Sequence, residues 1–301
     1  MNVLLTGVTG FLGSHLGRAL LDRGDAVLAY RRRTSVLSRL VGVTERIAWF
    51  DLDAGEIARP FDDARIDAIV HAATCYGRAR EATSEVISAN VLLPLQIVDI
   101  AKEKQCPIFV NIDSFFCKAE PAYQNAPRYI MTKRHLREWL RIDTAASLAV
   151  QNLRLEHVYG PGDAPTKFVP ALLAALAAHQ PRLALTPGEQ RRDFIYVTDA
   201  ISAILCVLDH TSPAAGFSEL EIGTGEPHSV REMAETARSI LRSTTTLGFG
   251  DLPYIQGELM HSHADLRPLR ELGWSPSISL EEGLRRMALA AALPRIPNHV
   301  A

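Results

Sequence analysis

The stretch "LLTGVTGFLGSHL", Leu4 to Leu16, places Gly7, Gly10 and Gly13 between an apolar, β-rich run and an amphipathic helical pattern. Glycines at such a junction permit a tight turn, let the backbone approach a pyrophosphate and let the helix pack close to the strand. The helix N-terminus then offers unpaired N–H groups to the anion. The spacing is G-x-x-G-x-x-G rather than G-x-G-x-x-G. Its position after a strand and before a helix predicts a dinucleotide site rather than a plain turn.

Downstream, short apolar β-rich runs keep alternating with helical patterns, the signature of a parallel sheet built from βαβ units. "NVLLT", "AVLAY", "RIAWF", "DAIVHAA", "CPIFVNI" and "LAVQNLRL" read as six strands. Between them lie a helix ending at Gly24, a long helical segment from about Arg78 to Lys104, and the helix "YIMTKRHLREWLRIDTA". After Leu155 the regularity breaks. "EHVYGPGDAP" reads as a loop, and an Ala/Leu-rich helix spans Phe168 to His179. Strands follow in "PRLALTPGEQRRDFIYV", then a helix near Asp199 to Leu208, a strand in "LEIGTG", and short helices and turns. The expected fold is a doubly wound, Rossmann-type α/β sheet with a smaller interleaved C-terminal unit. The dinucleotide domain is assigned to 1–155 plus about 193–222, and the substrate-binding domain to 156–192 and 223–301.

A chain of 301 residues, 47% of them hydrophobic, can bury a large core. A net charge of -2 supplies no general basic field, which argues against nucleic acid or an anionic membrane as partner. Cys75, Cys106, Cys117 and Cys206 form no C-x-x-C pair and read as reduced, buried thiols of a cytoplasmic protein. The run at Val3 is too short for a signal segment or membrane span. His261 and His263 lack a third ligand at metal-site spacing, so no metal is expected.

Tyr129 and Lys133, four apart, share one face of their helix. A phenol with a pKa near 10 is a poor acid or base at neutral pH; a nearby ammonium stabilises the phenolate and brings its proton into range. That pairing suits carbonyl reduction, in which hydride reaches carbon while a proton reaches oxygen.

On these residues the chain resembles the extended short-chain dehydrogenase/reductase family, Rossmann enzymes acting largely on nucleotide sugars. "TGVTGFLGSHL" follows the family's loop, which implies cofactor contacts from Gly7, Thr9, Gly10, Phe11, Leu12 and Gly13. "FDLDA" implies Asp51 and Leu52 on the adenine side, and "VHAAT" implies Ala72 and Ala73 against the cofactor with Thr74 toward substrate. Asn90 in the long helix and His157 in "RLEHVYGPG" are further implied cofactor residues, as are Tyr129 and Lys133 in "YIMTK", the lysine anchoring the nicotinamide ribose. The resemblance continues through "RRDFIYVTDA", "EIGTGE" and "ADLRPLRELGWSP", nearly the whole chain.

The resemblance also implies a third catalytic member, a Ser or Thr after the fifth strand. Ser114 in "VNIDSFFCK" matches, with a cap or turn role as its other reading. Asp113 fits less well, because a carboxylate repels a developing oxyanion. Only fifteen positions separate Ser114 from Tyr129, a short connection for the family. Dehydratases of the family carry an acidic pair after the catalytic Thr, whereas Phe115 and Phe116 stand here. The pattern is closer to nucleotide-sugar 4-ketoreductases of the CDP-abequose synthase kind.

Cofactor choice turns on "AYRRRTSVL", Ala29 to Leu37. An NAD enzyme places an acid near the end of the second strand for the ribose 2′-OH, and an Arg there suits a 2′-phosphate. No acid stands in this stretch, and Arg31, Arg32 and Ser35 are expected to clamp the phosphate, with Thr34 and Arg39 nearby. A solvated charge run is the alternative. NADP(H) is the expected cofactor, with NAD(H) possible.

At the substrate end Arg192 matches the family position that grips the sugar-nucleotide diphosphate, and Asp265 one near the nucleotide ribose. Arg191 reads as structural or substrate-facing, and Tyr159 and Lys167 as cleft border or packing. The expected activity is NADPH-dependent reduction of a nucleotide-activated 4-keto-6-deoxyhexose. Its rivals are an epimerase holding NAD tightly, a non-nucleotide ketone reductase, and a non-catalytic NADP(H)-sensing protein. A homodimer is implied, pairing the long helix with the tyrosine helix in a four-helix bundle.

Overall fold

The computed structural model describes residues 1–78, 81–119, 123–143, 148–214 and 216–292. Six strands form in chain order: β1 (Asn2–Thr6), β2 (Ala26–Arg31), β3 (Ile47–Asp51), β4 (Ala68–His71), β5 (Ile108–Ser114) and β6 (Ala149–Leu155). A seventh, Gly216–Ile222, returns from far along the chain to pair in parallel with β6. Every pairing in this sheet is parallel, and β5, β4 and β1 lie side by side in its middle.

Side chains alternate across a strand, so each strand feeds two cores. Val3, Leu5, Val27, Ala29, Val70 and Val110 face one side, with Leu16 and Leu20 of the helix Phe11–Arg23 and Ile201 and Ile204 of the helix Val197–His210. Leu4, Leu28, Ile69 and Phe109 face the other, with Ile97 and Val98 of the helix Leu93–Glu103 and Leu136 and Leu140 of the helix Pro127–Asp143. Apolar layers on both faces explain why the strands read as continuous hydrophobic runs.

Three regions differ from the reading of the sequence. The long helix begins at Thr83 and contains a π turn, Ser88–Leu92, which carries Asn90. The Gly/Pro-rich segment after β6 holds a short strand, His157–Tyr159, paired in parallel with Phe194–Tyr196. That partner lies far along the chain, beyond the reach of local pattern. The C-terminal segment forms two full helices, Val230–Leu241 and Leu280–Ala292, and a strand, Thr246–Phe249, rather than only short helices and turns. The four thiols are free, but only Cys106 is fully buried.

The order of the sheet reverses between β1 and β4, so the connections leaving these strands diverge and open a crevice at their carboxyl ends. The glycine loop leaves β1 there, and Ala72 to Thr74 leave β4.

Candidate active site

A cleft of about 980 Å³ occupies this crevice and continues toward the C-terminal segments. Its floor depends on the absence of side chains. Gly7 has φ +72°, and a Cβ on it would stand 2.5 Å from the Ala73 nitrogen. A Cβ on Gly13 would stand 2.1 Å from the Gly7 carbonyl oxygen. The loop closes through a Gly10 N–H to Gly7 carbonyl hydrogen bond of 2.9 Å, and no side chain caps the following helix. Thr6 Oγ1 accepts from the Ala73 N–H at 3.1 Å and meets His71 Nδ1 at 2.9 Å, tying the two loops together. The uncapped helix start and backbone cradle fit a dinucleotide pyrophosphate. Thr9, Gly10, Phe11, Leu12, Leu52, Ala72, Ala73 and Thr74 all line the cleft.

At the adenosine end Arg31, Arg32, Thr34, Ser35 and Arg39 line the same cleft. Their situations differ. Arg31 donates from Nε to Asp51 Oδ1 at 2.7 Å, and its guanidinium lies 5.2 Å from the Trp49 ring centroid. The β2–β3 register sets Arg31 beside Asp51, so an acid absent from the local stretch arrives from the neighbouring strand. Arg31 is therefore held by Asp51, which, unlike the expected Leu52, is not among the residues lining the cleft. Arg32 is exposed at a turn whose backbone is fixed by Ser35: the Arg32 N–H donates to Ser35 Oγ at 3.0 Å. Arg39 reaches over the glycine loop, donating to the carbonyls of Gly162 at 3.0 Å and Thr9 at 3.5 Å.

Ser114, Tyr129 and Lys133 meet at the centre. β5 delivers Ser114 at its last position, and the helix Pro127–Asp143 delivers the other two one turn apart. Lys133 Nζ lies 6.0 Å from the Tyr129 ring centroid and donates to the Ile112 carbonyl at 2.7 Å. Ser114 has the turn role: its hydroxyl accepts from the Phe116 N–H at 3.3 Å, capping a short 3-10 turn, and the residue also lines the cleft. Burial pushes the Tyr129 phenol well above its ordinary value, reinforced by Tyr76, whose ring centroid is 4.8 Å away; the neighbouring Ser114 hydroxyl acts in the opposite direction. Burial likewise lowers Lys133, while the Asp113 charge raises it. The expected lowering of the phenol by the ammonium is thus outweighed here by desolvation.

Asn90 is placed differently from expectation. It is fully buried behind the cleft wall, and its amide bonds the Cys75 N–H at 2.7 Å, the Cys75 carbonyl at 2.8 Å and Thr132 Oγ1 at 2.9 Å. It fastens the loop after β4 to the tyrosine helix rather than facing the cofactor site. The π turn aims it there. Thr74 hydrogen-bonds Asn90 Oδ1 at 3.3 Å.

Further along the cleft His157 lies between Phe115 and Phe194, at ring-centroid distances of 4.7 and 5.3 Å. Its Nδ1 is buried without a partner, and burial pushes the imidazole down to about 3, so it is neutral. Arg192 lines the cleft, almost fully buried, and is ion-paired with Glu258. Sequence reasoning missed Glu258; its only signal is that a buried arginine requires a carboxylate. Tyr76 and Tyr123, also missed, complete an aromatic wall around Tyr129 with Phe116. Tyr159 is buried and serves packing, while Lys167 lines the cleft and pairs with Asp163 at 3.0 Å. Arg191 donates to the Pro227 carbonyl at 2.6 Å. Asp265 corrects the reading. It lies outside the large cleft, in a separate hollow with Gly225, His263 and Arg267. Arg267 holds it at 2.7 Å, which draws its carboxyl down to about 2.

The NAD dependent epimerase/dehydratase family pattern matches residues 3–223. The chain belongs to that family. Among curated proteins it is similar to the CDP-abequose synthase of Salmonella typhimurium, at 32% identity over 290 residues, covering 95% of this chain and 96% of the relative. Among solved structures it resembles UDP-glucose 4-epimerase from Thermotoga maritima with UDP-glucose, TM-score 0.83 at 21% identity, covering 97% and 98% of the two chains. It also resembles UDP-glucuronic acid 4-epimerase from Bacillus cereus, in complex with UDP-glucuronic acid and NAD. There the TM-score is 0.80 at 23% identity, over 96% and 98% of the two chains. The Rossmann sheet and the extended short-chain dehydrogenase/reductase family follow from these likenesses.

Proposed function

We propose that the protein reduces the 4-keto group of a nucleotide-activated 6-deoxyhexose with NADPH. The observation that carries this reading is the apolar wall after Ser114. Phe115 and Phe116 stand beside a Ser–Tyr–Lys group, with ring centroids 4.3 Å apart, where water expulsion needs acids. Similarity to CDP-abequose synthases supports the same class.

Gly7, Gly10 and Gly13 would hold the cofactor's pyrophosphate. Arg32, with Ser35 fixing its turn and Arg31 held by Asp51, would face a 2′-phosphate. Bound there, a reduced nicotinamide dinucleotide supplies the hydride. Tyr129 delivers the proton to the carbonyl oxygen, Ser114 orients that oxygen, and Lys133 tunes the phenol. Arg192 takes the nucleotide diphosphate once Glu258 yields it, since a phosphate and a carboxylate compete for one guanidinium. Thr74 flanks the sugar, and His157 stands on the cofactor side.

Exposed Ile87 and Leu92 on the long helix, with Met131, Trp139 and Ile142 on the adjoining tyrosine helix, support dimerisation through those two helices. Free thiols support a reducing, cytoplasmic setting.

The test is purified protein with CDP-, dTDP- and GDP-linked 4-keto-6-deoxyhexoses. NADPH should be oxidised stoichiometrically with at least one, and Tyr129→Phe should lower kcat by about 10²–10⁴. An epimerase would instead carry NAD through purification and convert substrate with no net cofactor loss. That result, or unchanged Tyr129→Phe, overturns the reading.

A further inference from the structure

Glu156, the residue after β6, is a carboxylate with a wholly buried side chain, and neither the hydride nor the proton step uses it. Ser262 Oγ lies 2.9 and 2.7 Å from its two oxygens, and Oε1 accepts from Lys118 Nζ at 2.7 Å. Burial pushes the Glu156 carboxyl above its ordinary value, and the Lys118 charge opposes that shift. A carboxylate so buried depends on its cation.

Lys118 closes the 3-10 turn Phe115–Lys118 that follows Ser114. An ammonium has three donors, and here three acceptors meet them: Glu156 Oε1, Glu221 Oε2 at 2.9 Å and the His263 carbonyl at 2.7 Å. Each comes from a different segment. Glu156 follows β6, Glu221 lies in the strand Gly216–Ile222, and His263 lies five residues beyond Glu258. Glu221 is fixed in turn by Arg154 Nη1 at 3.0 Å and by the Asp265 N–H at 2.9 Å.

Ser262 carries the network on to the strand of Arg192. Its N–H donates to the Arg191 carbonyl at 3.1 Å, and the Arg191 N–H donates to the Met260 carbonyl at 2.9 Å. The turn is also fastened to the helix Pro127–Asp143, where Arg134 donates to the carbonyls of Cys117, at 3.2 Å, and Ala119. One cation thus ties the turn to the helix of Tyr129, and the other ties it to the segments beside Arg192.

We propose that Lys118 is a positioning residue, which through Glu156, Ser262 and the His263 carbonyl holds the turn after Ser114 in register with the Arg192 end of the cleft. A substrate gripped at Arg192 then meets Ser114 and Phe116 at a set distance. The remaining bonds of the turn cannot do this. Ser114 Oγ binds the Phe116 N–H within the turn, and Cys117 Sγ binds Asp113 Oδ1, at 3.2 Å, in the strand that leads into it.

The activity arm of the test rests on the reductase reading; the exchange arm does not. Lys118→Met keeps an unbranched stem and removes the charge. In amide hydrogen exchange, Phe116, Ala119, Ser262 and Asp265 should exchange about tenfold faster or more, while Leu4, Leu28 and Ile69 of the sheet core keep their rates. With NADPH and the 4-keto sugar nucleotide that the protein reduces, kcat should fall by about tenfold to a hundredfold. The KM for NADPH should hold, because the glycine loop lies outside the network. Lys118→Arg, which keeps the charge, should restore both exchange and kcat. Unchanged exchange in the turn overturns the proposal, whatever the activity; so does faster exchange throughout the sheet, or a loosened turn with kcat unmoved. Should Lys118→Met not fold, Glu156→Gln decides: it keeps a partner for Ser262 and removes the charge, and unchanged Phe116 and Ala119 rates overturn the proposal. Should no nucleotide sugar be reduced, the reading of the reaction falls and the exchange arm still decides the tie.

Discussion

The two halves of the cleft are made in different ways. The half at the glycine loop is made of backbone: glycines that leave room, N–H groups at a helix start, and two loops joined by Thr6. The half at Arg192 is made of side chains brought from distant segments, with Arg192 answered by Glu258 across 66 positions and His157 boxed by Phe115 and Phe194. Backbone sites demand particular residues at fixed local spacing, so they leave motifs. Side-chain sites demand only complementary chemistry at a point in space.

The sharpest way to break this contrast is at Gly13. A methyl there meets the Gly7 carbonyl at 2.1 Å, so Gly13→Ala must displace the cradle itself. NADPH binding, followed by fluorescence titration, should weaken by about a hundredfold or more, and thermal unfolding should show a loss of about 1–3 kcal/mol. Gly24→Ala is the control. Its φ of +93° carries a conformational penalty of about 1 kcal/mol, but no atom lies within 4 Å of the added methyl, so cofactor affinity should hold. Equal effects of the two substitutions on binding would remove the distinction.

The half at Arg192 should respond through stability as well as binding. Glu258→Ala strands a buried guanidinium and should cost about 3 kcal/mol in urea unfolding. Arg192→Met combined with Glu258→Leu should regain most of that stability while substrate affinity stays poor. A double variant no more stable than the single one would show that packing, not charge pairing, governs this end.

The smallest expected effect lies at the adenosine rim, where side chains supplement the backbone. Arg32→Asp should reduce the NADPH over NADH preference in kcat/KM by about tenfold to a hundredfold, the worth of one charge-assisted contact of about 1.5–3 kcal/mol. Little change would mean that Arg31 and Arg39 carry the phosphate, or that none does.

The legibility of the molecule follows the same division. β1, the glycine loop and its helix could be read because each depends on neighbours in sequence. The pair Tyr129 and Lys133 could be read because helical periodicity places them together. The strand at His157–Tyr159 could not, since its partner lies at Phe194–Tyr196 and glycine and proline dominate its surroundings. Asp51 was read as an adenine-side residue, but its hold on Arg31 required the register of two strands. Asn90 was seen and misplaced, because one extra residue in a helical turn changes the direction of everything it carries. Asp265 was misassigned because Arg267, two residues on, holds it in a different hollow.

The strand Gly216–Ile222 has a consequence for how the molecule comes into being. Emerging from the ribosome, β6 stays a bare sheet edge until some sixty further residues have been made and the seventh strand arrives to cover it. Those intervening residues include Arg192 and the strands beside His157. The sheet therefore cannot be completed until those segments have been made. A chain halted at Leu155 would expose a ready template for its siblings. The sheet edge and the Arg192 end of the cleft are in this sense one product of synthesis, finished together.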